Sequence, residues 1–283
     1  MKSFCFVFAL SFLLSCTGLT VKDRPPAVYV LGSIHGAMLD EPNYTLHDFI
    51  SVLYIYKPTL ILTEVRPEYF DAIDGVIHGA VEQSIVYAYA KESGAQVVPV
   101  DWHNDEYNLE NDQNYEKAKT FKKEIQPLFD HFKRSISSLV ESQSPDTQNI
   151  IRKRYDIMAS HGLTALRKRD AHICENIKRQ KEKFSKGPVL IVFGLAHKYY
   201  LEDCVRELGI QPLSFEGWYS AEKAQNVMVT KALVENSVQT FNAAKELSGN
   251  RLRAGYYKTD VKNLNDVLKE LDNWIEKVSR LNP

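Results

Sequence analysis

The sequence predicts an α/β fold, a largely parallel sheet flanked by helices, with a helical insertion and C-terminal helices. Three observations carry this reading. Four short apolar runs are each bounded by polar or turn residues, amphipathic helical patterns separate them, and one charged stretch is too long for a single crossover helix. At 283 residues the chain is long enough to bury a sizeable core.

Residues 1–15 read as a secretory signal, because Lys2 precedes an apolar run from Phe4 to Leu14. That run is too short for a bilayer, which needs about twenty residues. Leu13-Leu14-Ser15-Cys16 resembles a bacterial lipobox with Cys16 as the acylated residue, an ordinary cleaved signal being the plainer alternative. Residues 16–26 then form a lipidated tether. The expected location is the bacterial cell envelope, with a membrane partner through the N-terminal lipid, and the outer membrane where the cell has two.

The core is expected over 27–219. Its strands are Val28–Leu31, Thr59–Thr63, Gln96–Val100 and Val189–Phe193, with Gln211–Phe215 as a further candidate. Leu46, Phe49, Ile50, Leu53 and Tyr54 space a helix after the first strand, closed by Pro58. Ile73, Ile77, Val81, Ile85 and Tyr89 space one after the second, up to Gly94. The insertion, about 104–186, carries helical segments at Tyr115–Val140 and Thr147–Lys183 with a break at Ser142–Asp146. Residues 220–283 read as C-terminal helices packed on the core, Ala221–Leu247 and Val261–Leu281.

Charges nearly cancel, 35 Lys+Arg against 36 Asp+Glu, so no overall basic field recruits nucleic acid and no such partner is expected. After the leader no apolar run is long enough for a polytopic membrane protein. Cys174 and Cys204 read as two buried thiols on helix faces, a single disulfide between them being the alternative in an oxidising compartment. Without a CxxC or a Cys/His zinc spacing, cysteine carries no chemistry here.

Each apolar strand delivers an ionisable group just past its carboxyl end: His35 after Gly32-Ser33-Ile34, then Glu64, Asp101, and His197 after Gly194-Leu195-Ala196. In open parallel sheets those ends face a common crevice. Two imidazoles and one carboxylate make a three-point set for a divalent metal with an open position, which activates water near neutral pH. The glycine three residues before each histidine is expected to let the backbone turn sharply off the strand. Each group also has a plain role: Glu64 paired with Arg66 or Arg169, Asp101 as a cap.

Four segments, GSIH at 32–35, ILTEVRPE at 61–68, LRKRD at 166–170 and FGLAHKYYLEDCVRELG at 193–209, resemble the TraB/PrgY/GumN group, which includes the Tiki metalloproteases. The resemblance implies peptide hydrolysis with a divalent metal such as manganese or cobalt, zinc being a further candidate. His35, Glu64 and His197 match the motif residues, with Glu64 as a ligand or the general base. Arg169 matches a basic–acidic pair and would stabilise an oxyanion, while Asp101 would orient a histidine. GSIH replaces the usual GTIH, TEVR the usual ELD, and Lys198 a usual apolar residue. Erythromycin esterases and ChaN-like haem-binding lipoproteins are more distantly similar. The ChaN likeness implies one alternative, a haem or iron binder using Tyr44, His47, Tyr199 or Tyr200; a further reading is a metal-free esterase in which His35, activated by a carboxylate, takes a proton from water. The substrate, an unknown peptide or small molecule, would meet a pocket shaped by the insertion and by Trp102, Trp218 and Tyr219, rings that more often fill a core than hold a ligand.

Overall fold

The computed structural model describes residues 27–281 apart from 70, 71, 74, 75, 77–79, 81, 137 and 254–260. The leader and Cys16 lie outside the described residues.

Four parallel strands form the sheet: β1 (Val28–Ser33), β2 (Leu60–Thr63), β3 (Gln96–Pro99) and β4 (Val189–Gly194). Their order is β1-β4-β2-β3. The last strand in sequence therefore lies between the first two, with Ser33 opposite Gly194 and Thr63 opposite Val192. Alternation sorts the side chains. Tyr29, Leu31, Ile61, Leu190 and Val192 enter one core layer, and Val28, Val30, Leu60, Leu62, Val189 and Ile191 the other. Because both faces are covered, the strands read as unbroken apolar runs.

On the first face lie α1 (Leu46–Tyr56) and α2 (Gln83–Ser93). Thr45 and Asp48 close a capping box at the start of α1. Lys57, with φ 52°, ends it in the left-handed region just before Pro58, and Gly94, with φ 77°, ends α2. Between β3 and β4 run α3 (Asp105–Ala118), α4 (Lys122–Ser135), the short α5 (Leu139–Ser142), α6 (Pro145–Ser160) and α7 (Ala165–Lys178). The helix expected over Thr147–Lys183 is thus two helices. Gly162, with φ 76°, lets the chain reverse between them. The expected break at 142–146 is real, with Ser144 capping α6 and Pro145 at its first turn.

After β4 come α8 (Lys198–Glu207), the short α9 (Ala221–Gln225), α10 (Lys231–Arg253) and α11 (Val261–Ser279). The helix expected from Ala221 breaks after Gln225. Helix α10 packs on α2 and α11, and α11 also covers the 3₁₀ turn His35–Leu39. Gln211–Phe215 is not a strand. Leu213 donates one hydrogen bond to Val28 O at 2.8 Å, and Pro212 has no N–H to extend the ladder.

Cys174 and Cys204 form a disulfide, the alternative the sequence leaves open, in place of the two thiols expected first. The two helix faces that bury them face each other, α7 against α8. Trp218 and Tyr219 belong to an aromatic cluster with Tyr29, Tyr56 and Phe215 inside the core rather than to a pocket. Trp102 stacks on His172.

Candidate functional site

The strand order brings the expected residues together at the carboxyl end of the sheet. His35 follows β1, His197 follows β4 and Glu64 follows β2, so the two imidazoles flank one carboxylate. His35 Nε2 is 3.8 Å from Glu64 Oε2, and His197 Nε2 is 3.7 Å from Glu64 Oε1. Glu64 Oε2 also accepts the Gly194 N–H at 2.6 Å.

The two glycines serve close approach rather than a turn, which corrects the expectation. A Cβ on Gly194 would lie 2.5 Å from His35 Nε2, and one on Gly32 would lie 2.3 Å from Leu195 Cδ1. Each motif's glycine makes room for the other motif. Paired side by side, β1 and β4 bring the two G-x-x-H segments into contact.

His35 has φ 52°, left-handed backbone that a non-glycine residue adopts rarely and often at functional sites. Its N–H donates to Ser33 Oγ at 2.9 Å, and Nδ1 meets Glu82 Oε1 at 2.7 Å. The Ser33 hydroxyl donates to the same Glu82 oxygen at 2.7 Å. The imidazole side chain is 44% exposed, while Glu82 is fully buried. Burial of the ring disfavours the imidazolium, but Glu82 and then Glu64 outweigh it and raise His35 from 6.5 to about 9. Burial alone would push Glu82 up, yet His35 and the Ser33 hydroxyl hold it below the usual carboxylate range.

His197 is built in parallel. Its Nδ1 is hydrogen-bonded to Asp170, which is fully buried. Its Nε2 faces Glu64 and Arg169. Arg169 Nη1 stands 3.5 Å from His197 Nε2, and Nη2 donates to Glu64 Oε1 at 2.9 Å and Asp101 Oδ2 at 2.7 Å. Nε donates to Asp101 Oδ1 at 2.9 Å. Asp101 therefore anchors Arg169 instead of orienting either imidazole of the pair. Burial would raise its pKa, and the guanidinium brings it below the usual range. Lys198 points away, under β1, where Nζ donates to Val30 O and Glu202.

Glu82 and Asp170, the two carboxylates that orient the histidines, were missed by the sequence reading. Asp170 adjoined Arg169 in LRKRD and was legible there. Glu82 lies 47 residues from His35 with nothing local to mark it. Gln143 was missed too. Its amide accepts from Gly32 N–H at 2.9 Å and donates to Gly32 O at 2.8 Å, pairing with edge strand β1 and tying the insertion to the first motif.

The donor set implied for a divalent ion is His35, Glu64 and His197. As arranged it does not fit one, because the Arg169 guanidinium already binds Glu64 and stands beside His197. Among the described residues no three His, Cys, Asp or Glu side chains gather as an ion site. The haem reading gains no support from its candidates. Tyr44 is buried and donates to Gly32 O, His47 Nε2 is 3.2 Å from Val227 O, and Tyr199 is buried, stacked on Tyr155, with Tyr200 edge-on to it. Among the described residues no helix is long and apolar enough to cross a membrane.

No protein-family model, curated protein or solved structure matches this chain.

Proposed function

We propose that the chain is a hydrolase of peptide or ester bonds in which His35 carries the proton. The observation that supports this reading is the Ser33–Glu82–His35 chain, in which a part-exposed imidazole at the carboxyl end of the sheet is held from behind by a fully buried carboxylate. The motif resemblance to the TraB/PrgY/GumN group points to the same reaction class. Once neutral, His35 Nε2 takes a proton from water, and the water oxygen bonds to the carbonyl carbon. The carbonyl electron pair moves onto its oxygen beside Arg169, a cation kept in place by Glu64 and Asp101. As the intermediate collapses, the bond to the leaving nitrogen or oxygen breaks and His35 returns the proton to that atom. The test is hydrolysis of p-nitrophenyl esters and fluorogenic peptides by the native chain and His35→Gln. Loss of activity in the variant supports the reading, and activity equal to the native chain's refutes it.

The second reading is a metal-dependent form of the same hydrolysis, with manganese, cobalt or zinc on His35, Glu64 and His197. Two observations favour it. Four buried carboxylates, Glu64, Glu82, Asp101 and Asp170, surround one guanidinium and two imidazoles. Both histidines have Nδ1 held by a carboxylate, as ligating histidines commonly do. An ion could be held by His35, Glu64 and His197 only once Arg169 released Glu64, and it would then supply a Lewis acid. It would compete with Arg169 for Glu64. Calorimetry with manganese and zinc tests this: His35→Ala and His197→Ala each abolish uptake, and unchanged stoichiometry in both ends the reading.

The location we propose is the envelope of a bacterial cell, lipid-anchored through Cys16. The leader pattern supports it, and the Cys174–Cys204 disulfide suits an oxidising compartment.

A further inference from the structure

Helices α3, α4, α6 and α7 enclose a cleft of about 830 Å³ that the proton chemistry leaves without a role. That volume falls in the range of small-molecule sites, about 300–1,000 Å³. Phe129, Tyr155, Met158 and Leu166 supply apolar walls. Arg169 follows Leu166 by three residues on α7 and lines the cleft too, so the cleft meets the reactive site at that guanidinium.

The charges around the cleft are unequal. Lys119 is held by Glu116, and Arg169 by Glu64 and Asp101. Arg154 has no carboxylate partner among the described residues. Its guanidinium lies over Phe129 at 5.3 Å and Tyr155 at 5.9 Å, and its Nε is buried without a hydrogen-bond partner. Lys122 is exposed at the rim, and Asp112 is the one acid among the lining residues described. A guanidinium set among apolar walls suits an anion carried on an apolar body, because pairing there is weakly screened and the body covers the rings.

We propose that this cleft binds the substrate, and that the substrate is an elongated apolar chain bearing a carboxylate. The carboxylate pairs with Arg154, and the apolar chain lies along Phe129, Met158 and Leu166 toward Arg169. The inference rests on the hydrolase reading for which end reacts, and not for what binds.

Fluorescence titration of the full chain with 11-(dansylamino)undecanoic acid and with its neutral methyl ester tests it. His35→Gln serves as a non-hydrolysing host, so binding is read apart from turnover and can stand or fall on its own. The acid is expected to bind about tenfold or more tighter than the ester, the value of one charge-assisted pair. Arg154→Gln removes that preference while ester binding persists, which also reports an intact fold. Phe129→Asp weakens both ligands. Equal affinity for acid and ester, or a preference that survives Arg154→Gln, overturns the proposal.

Discussion

Replacing Glu82 with Gln leaves an acceptor for His35 Nδ1 and removes only the charge. The Glu82 carboxylate, 2.7 Å from that nitrogen, is the largest influence raising His35 against the opposing effect of burial. Its native pKa of about 9 stands above the ordinary 6.5. One pH unit is worth about 1.4 kcal/mol, which sets a ceiling of about 3 kcal/mol. The ring is 44% exposed, and solvent screening reduces the value to about 1–2 kcal/mol. Because the folded pKa is raised, this stabilisation is fully present below about pH 6.5 and is lost as pH rises through about 9. In Glu82→Gln the pH dependence flattens over that window. The same shift governs the rate, since His35 takes a proton only when neutral. Hydrolysis by the native chain should climb toward pH 9 and, in the variant, reach its plateau nearer neutral pH. Proton NMR of the His35 Cε1–H gives the midpoint directly. A native midpoint near 6.5, or equal midpoints in both proteins, would refute the reasoning.

Gly194→Ala places a Cβ 2.5 Å from His35 Nε2, so the imidazole must leave its position. Esterase activity should fall at least tenfold, whereas retention of full activity would show that this close approach is irrelevant. Gln143→Ala removes the amide from the buried Gly32 N–H and C=O, costing about 2–3 kcal/mol. Urea denaturation measures it, and a change under 0.5 kcal/mol would count against the edge-strand role. Removing the Cys174–Cys204 disulfide, which closes 30 residues of chain, should cost about 3–4 kcal/mol. Thermal melts of Cys174→Ser/Cys204→Ser test this, since an unchanged melting temperature is incompatible with the bond.

The arrangement of the site follows from one feature of the topology. β4 enters between β1 and β2, so two short motifs far apart in sequence become neighbours, and Glu64 reaches both from the next strand. The consecutive residues Arg169 and Asp170 on α7 then serve different partners. One bridges Glu64 and Asp101, the other fixes His197. The disulfide from Cys174 to α8 lies five residues beyond Arg169, staples the two elements that carry this pair and His197, and so restrains their spacing.

Much of the fold was legible in the residues alone. Apolar runs closed by polar residues mark parallel strands, because both sides of β1, β2 and β4 leave water, while β3 at the edge is only half-buried. His35, Glu64, Asp101 and His197 were legible for the same reason: an ionisable group directly after such a run has to sit at the sheet's end. Local periodicity carried no information on strand order, on the disulfide, or on Glu82 and Gln143, whose partners are 47 and 111 residues away. Those depend on which surfaces pack together once the chain is compact. The glycines make the same point. Their spacing was visible in one dimension, but their use, admitting the opposite motif within a few ångströms, exists only where β1 lies against β4.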